Sequence, residues 1–193
     1  PEPIFGLAVQ GVVDPKHIFR KSGAQAGDVA ILSKPLGTGL VTAAGSDADK
    51  KVAIAGMRTL NRAAAEQLRE HQDHVHAVTD VTGYGLAGHG WEIAERSGVT
   101  LVVDTSALPL YPGALDIAQS GHRTGGDPRN RLYVGDHLTT TADDAYIALC
   151  MDPQTSGGLL AAVPQAIADA LVSSGAWTAV GHFAAGGPAL EIH

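Results

Sequence analysis

Asp80 stands where the run Val75–Val78 gives way to Thr79-Asp80-Val81-Thr82-Gly83-Tyr84-Gly85, and a helical pattern follows. A carboxylate at a strand end exposes a hard oxygen anion, and the helix that follows points backbone N–H groups at the same space. Such a place can hold a metal–phosphate group. Spacing alone fits a plainer role better, because an Asp that merely caps the next helix is common. Met151-Asp152-Pro153-Gln154-Thr155-Ser156-Gly157-Gly158 is a second loop of this kind. Its residues suit a tight turn and a close backbone approach, and by itself it reads as an Asx-turn leading into a strand. Lys34-Pro35-Leu36-Gly37-Thr38-Gly39 has its Lys before the glycines, so it is not a Walker A loop. Arg129, in Gly125-Gly126-Asp127-Pro128-Arg129-Asn130, could clamp a phosphate from a flexible loop. Spacing alone favours an ordinary solvated Arg. His71, His74 and His76 have no cysteine or carboxylate constellation to complete a zinc site. Cys150 has no nearby base in sequence and reads as a small buried residue. Trp91 and Trp177 read as core or interface anchors.

The elements that must position these residues follow from hydrophobic pattern. Strands are expected at Ile4–Val13, Val29–Ser33, Val75–Val78, Val99–Asp104, Leu159–Val163, Trp177–Phe183 and Ala189–Ile192. One long helix is expected from Ser46–Asp49 to about His71, with Ile54, Met57, Leu60, Ala64 and Leu68 on its apolar stripe. Further helices are expected from about Leu86 to Ser97, closed by Gly98, and from Pro112 to Gly121. Two more are expected over Asp143–Leu149 and Pro164–Ser174. Gly121–Arg131 reads as a polar, Gly-rich loop. The alternation implies an α/β sandwich with helices on a sheet.

The 193 residues suffice for one domain with a core, or a domain plus a fragment of another. The composition, 45% hydrophobic and 17% charged, is that of a soluble globular chain. The 24 glycines exceed the average usage of about 7% and imply many close backbone approaches. A net charge of −7 argues against a nucleic-acid groove and against docking on anionic lipid. A single cysteine allows no intrachain disulfide. No apolar run approaches the length of a membrane span. The start, Pro1-Glu2-Pro3-Ile4, resembles neither a signal nor a transit peptide and lacks an initiator Met, as in a fragment of a longer protein or a processed chain.

Taken together the motifs carry a resemblance. TDVTGYGLAGH at Thr79–His89 resembles the TDVTGFGLLGH segment of selenophosphate synthetases, with Tyr84 for Phe and Ala87 for Leu. DPQTSGGLL at Asp152–Leu160 matches that family fully. Pro1–Val13 resembles its PEPIFGLAVTGIV, and Ile31–Gly39 its ILTKPLGTG. Gly125–Asn130 resembles GGTxRN, with Asp127-Pro128 departing from it. The matches keep the family's order and span nearly the whole chain. Aminoimidazole ribonucleotide synthetase, thiamine-phosphate kinase and a hydrogenase maturation factor belong to the same superfamily, and DVTGYG with DPQTSGG points to its selenium branch.

The resemblance implies a fold, an activity and a division of labour. The fold would be the mixed sheet with packed helices of the aminoimidazole ribonucleotide synthetase C-terminal domain, over residues 15–193. Residues 1–14 would be the last strand of a missing N-terminal ATP-binding domain, disordered, refolded or paired with another copy once detached. The implied reaction converts ATP, selenide and water into selenophosphate, AMP and phosphate. In the family the reactive Cys or selenocysteine, a catalytic Lys, most magnesium-binding carboxylates and the ATP contacts all precede the point where this chain begins. Mg2+ is the implied cofactor and ATP the substrate, and Asp80 is the one metal ligand that maps here. Lys34, Thr82, Arg129 and Asn130 are candidates for lining the phosphate or substrate cleft, and no residue maps as catalytic. The implied partners are the enzyme's own N-terminal domain and a second subunit in a homodimer. The implied location is cytoplasmic, and the chain alone would be inactive. Two other readings stay open: a non-enzymatic assembly or selenium-delivery domain, and another phosphotransferase of the superfamily. What precedes Pro1 in the gene would discriminate them.

Overall fold

The computed structural model describes residue 8 and residues 10–193. The strand expected over Ile4–Val13 falls largely outside the described residues. Ala8 and residues 10–13 are exposed and lie in no strand. Short apolar runs bounded by turns give seven strands among the described residues: β1 (Val29–Leu32), β2 (Ala77–Asp80), β3 (Thr100–Val103), β4 (Leu138–Thr140), β5 (Leu159–Val163), β6 (Thr178–Ala184) and β7 (Ala189–Ile192). They form one sheet in the order β2-β5-β1-β6-β3-β7-β4. The pairs β3–β7 and β7–β4 are parallel and the other ladders antiparallel, so the sheet is mixed.

The eight α-helices among the described residues are α1 (Thr38–Ala44), α2 (Asp47–Arg58), α3 (Arg62–Glu70), α4 (Gly85–Ser97), α5 (Ala114–Gln119), α6 (Asp127–Val134), α7 (Asp144–Met151) and α8 (Gln165–Ser173). β1 and β5 are covered on both faces, which explains their runs of apolar residues without polar alternation. On one face Ala30, Leu32, Leu160 and Ala162 meet α4 and α7 through Leu86, Trp91, Ile147 and Met151. On the other, Val29, Ile31, Ala161 and Val163 meet α3 and α8 through Leu68 and Leu171. A third cluster joins α1, α2, α5 and the start of α7 around Leu40, Ala53, Tyr111 and Leu149. The expected sandwich is therefore three-layered at its centre, with a lateral pad. Trp91 and Trp177 are both buried core anchors, as expected. Cys150 is fully buried, and burial pushes its thiol up to about 12.

Four local expectations need correction. The long helix over residues 46–71 is two helices, broken at Thr59-Leu60-Asn61. The carbonyl of Thr59 accepts from Lys34 Nζ, and Asn61 Nδ2 donates to the Gly157 carbonyl, so tertiary hydrogen bonds take the backbone out of the helix. Leu60 and Ile54, placed on the apolar stripe by spacing, are exposed, because α2 and α3 bury different faces against different clusters. Thr38 and Gly39 belong to a helix rather than a loop. The supposed Gly121–Arg131 loop ends at Gly126, and Pro128 sits in the first turn of α6, where its missing N–H costs nothing. β4 carried no sequence signal, since two of its three residues are exposed.

Candidate functional site

The three motifs meet at one end of the sheet. β2 ends at Asp80, which pairs with Leu159 at the start of β5. Ser33, just past β1, donates its N–H to the carbonyl of the same Leu159. Lys34 and Asp80 thus lie on opposite sides of the start of β5. The Asp80 side chain is exposed, and among the described residues it has no hydrogen-bond or ion-pair partner. It does not cap α4, whose first turn has no side-chain cap at all. The plainer role that spacing favoured for Asp80 is therefore absent.

The loop Asp152–Gly158 is a clamp. Asp152 Oδ2 accepts from the N–H groups of Gly39 and Leu40 at 2.9 and 3.3 Å. Gln154 Oε1 accepts from the N–H groups of Gly37 and Thr38 at 3.1 and 3.2 Å. Together they satisfy the first N–H groups of α1, which that short helix cannot satisfy itself. The loop is thus no local Asx-turn but a cap delivered from more than a hundred residues away. Asp152 is fully buried, and burial raises its carboxyl to about 6 against the opposing pull of the Leu40 and Gly39 N–H groups. Its Oδ1 has no partner among the described residues. Gly157 must be glycine for a local reason: a Cβ there would lie 2.0 Å from the Val81 carbonyl oxygen. This contact, with the hydrogen bond from Val81 N–H to Gly158 O, fixes the backbone next to Asp80.

Two of the five candidate residues serve this framework. Lys34 is buried, and its Nζ donates to the carbonyls of Thr59 and Ser156 at 2.6 and 2.8 Å. Burial holds its ammonium below the ordinary lysine range. Asn130 is buried in α6, and its Nδ2 donates to the Gly83 and Met151 carbonyls at 2.9 and 2.7 Å. It ties the loop after Asp80 to the end of α7. Arg129, next to it, is exposed and has no hydrogen-bond or ion-pair partner among the described residues. Arg129 and Asn130 border an open cavity of about 510 Å³ with Gly83, Tyr84, Leu132 and Tyr133. Tyr84 and Tyr133 stack at 4.6 Å between ring centroids on that rim. Lys34 is not part of this cavity.

Thr82 is half-buried, and its hydroxyl lies 3.1 Å from His89 Nε2. His89 Nδ1 lies 2.9 Å from Glu92 Oε2, which Lys21 Nζ approaches to 2.7 Å. Sequence reasoning passed over His89, Glu92 and Tyr133. The spacing of His89 and Glu92, three residues apart on one helix face, was the available signal. Among the described residues Asp80 is an exposed carboxylate and Arg129 an exposed guanidinium, each without a partner, and of the five candidates only Arg129 and Asn130 line the cavity. A free carboxylate suits a hard cation, and a free guanidinium suits a phosphate.

The sequence is 43% identical over 171 residues to the selenide, water dikinase of Pseudomonas straminea, covering 85% of this chain and 47% of that protein. The chain spans about half the length of the curated relatives it matches. In three dimensions it is similar to thiamine-monophosphate kinase from Stenotrophomonas maltophilia K279a, with a TM-score of 0.65 and 23% identity, over 93% of this chain and 54% of that one. It is also similar to hydrogenase maturation protein HypE, solved in complex with ATP, with a TM-score of 0.56 and 19% identity over 86% of this chain and 45% of that one. These two likenesses carry the fold alone. The family model described as AIR synthase related protein, C-terminal domain, matches residues 25–187, from the turn before β1 to the turn between β6 and β7. The chain therefore belongs to the family of AIR synthase related protein C-terminal domains.

Proposed function

We propose that this chain is the C-terminal part of an ATP-dependent selenophosphate synthetase, which turns ATP, selenide and water into selenophosphate, AMP and phosphate. The observation that carries the reading is the state of Asp80. Its carboxylate is exposed and unpartnered, while the backbone around it is fixed by Gly157, Gly158 and Asn130. A hard oxygen anion held on a rigid strand end fits one ligand position of Mg2+ and leaves the others to groups outside the chain. Asp80 would hold the ion and Arg129 would receive phosphate oxygens, with Thr82 beside them. Lys34 and Asn130 would act by holding the loops in place. When bound, Mg2+ neutralises negative charge on the phosphoryl groups. The rest of the site would come from an N-terminal half, as the length of the relatives supports. The whole enzyme would be a cytoplasmic homodimer.

This reading makes the isolated chain inactive. One free carboxylate and a net charge of −7 do not gather a magnesium nucleotide. Isothermal titration of the chain with Mg-ATP should show no binding in the micromolar range. The same chain joined to its ATP-binding N-terminal half should form AMP and selenophosphate from ATP only when selenide is present, followed by 31P NMR. Micromolar binding by the chain alone, or selenide-independent turnover by the joined protein, would remove this reading in favour of a different phosphotransferase.

A further inference from the structure

The chain Thr82–His89–Glu92–Lys21 runs from half-buried Thr82 through buried His89 and part-buried Glu92 to the part-exposed Lys21, and each member touches the next through a single hydrogen bond. Its far end fixes the charge. Burial pushes the Glu92 carboxyl up, but hydrogen bonds from Lys21 and His89 more than offset this and hold it below the ordinary range. An ionised carboxylate only accepts, so the ring nitrogen facing it, Nδ1, must carry a proton. In a neutral imidazole the other nitrogen, Nε2, is then bare and accepts. The Thr82 hydroxyl is what faces Nε2, so its proton points inward.

We infer that His89 is a positioning residue that turns the Thr82 hydroxyl so that its oxygen lone pairs, and not its proton, are offered to the ligand beside Asp80. The logic of orientation is that of a hydroxyl–imidazole–carboxylate triad, without any claim that Thr82 attacks. An oxygen acceptor next to a carboxylate suits a hard cation with its waters, whereas a hydroxyl donor would suit a bare phosphate oxygen. His89 is buried and its two nitrogens are both engaged, so it reaches the ligand only through Thr82. This inference rests on the reading of Asp80 as a cation ligand given above. The hydrogen-bond direction can be tested without it.

NMR of the chain at pH 8 decides the direction. Long-range 1H–15N spectra should place His89 in the Nδ1–H tautomer, with a slowly exchanging Thr82 hydroxyl proton. An Nε2–H tautomer or an imidazolium would overturn the inference. Two substitutions separate positioning from packing. In His89→Asn the side-chain amide replaces Nδ1, keeps the Glu92 bond and loses Thr82. In His89→Gln the amide replaces Nε2 and reaches Thr82. Only His89→Asn should release the slow Thr82 proton. In the chain joined to its N-terminal half, His89→Asn should raise the Mg2+ concentration for half-maximal activity about ten-fold, with little change in kcat. His89→Gln should restore it towards the wild-type value. Adding His89→Asn to Thr82→Val should change nothing further, because the bond is already gone. Equal behaviour of the Asn and Gln variants would overturn the inference. An inactive wild-type joined protein would overturn the dikinase reading and leave the tautomer measurement to decide the role of His89.

Discussion

The two motifs that match the dikinase pattern best behave in opposite ways. In Asp152–Gly158 the polar side chains of Asp152 and Gln154 turn inward and cap α1, and the backbone carbonyl of Ser156 receives Lys34. In Thr79–Gly85 the distinctive side chain, Asp80, turns outward and meets nothing among the described residues. Both have an Asp beside a strand and glycines nearby, and both read as turns. One carboxylate is a scaffold part and the other is an offered ligand. The difference is burial with partners against exposure without them, and it decides what each substitution should do.

The largest effect should come from Asp80→Asn. In the chain joined to its N-terminal half it should lower magnesium-dependent ATP cleavage by roughly a thousandfold, while thermal denaturation of the chain stays unchanged. Normal turnover in that variant would leave Asp80 without a role. Asp152→Ala should do the reverse. It strips the cap from α1 and leaves buried N–H groups unsatisfied, a cost of about 3 kcal/mol measurable by urea denaturation of the chain. If Asp152→Ala were stable and Asp80→Asn were not, the contrast between the motifs would be inverted.

The pH dependence sharpens the same contrast. Burial raises the Asp152 carboxyl to about 6, from an ordinary 3.8. The native state therefore binds its proton more tightly than the unfolded state does. The contribution is fully present below about pH 4 and is lost as pH rises to about 6, on the order of 2–3 kcal/mol in all. Denaturation midpoints measured across that window should show a falling component in the wild type that Asp152→Asn removes and Asp80→Asn leaves in place. The smallest effect should be that of Lys34→Met, a loss of about 1–2 kcal/mol as the Thr59 and Ser156 carbonyls lose their donor. If Lys34→Met abolished activity in the joined protein without destabilising the chain, Lys34 would move from the frame to the cleft.

Much of the fold was legible because local signals and burial agree. Gly98 and Gly175 close α4 and α8 in left-handed conformations where the pattern ends. β1 and β5 are apolar runs between turn residues, and both of their faces are covered. The errors occur where distant atoms decide. Nothing local to Thr59 announces the ammonium of Lys34, and nothing local to Thr38 announces Gln154. By itself the sequence determined the alternation of elements, the motifs and, through them, the family. It also singled out Asp80 as the carboxylate to watch. Only the tertiary structure decided that Asp80 caps nothing, that Asp152 caps α1, and that Lys34 and Asn130 are spent on backbone carbonyls while Arg129 is free. Residue type fixes what a side chain can donate or accept, but whether that capacity is already satisfied depends on groups brought close by the fold from elsewhere in the chain.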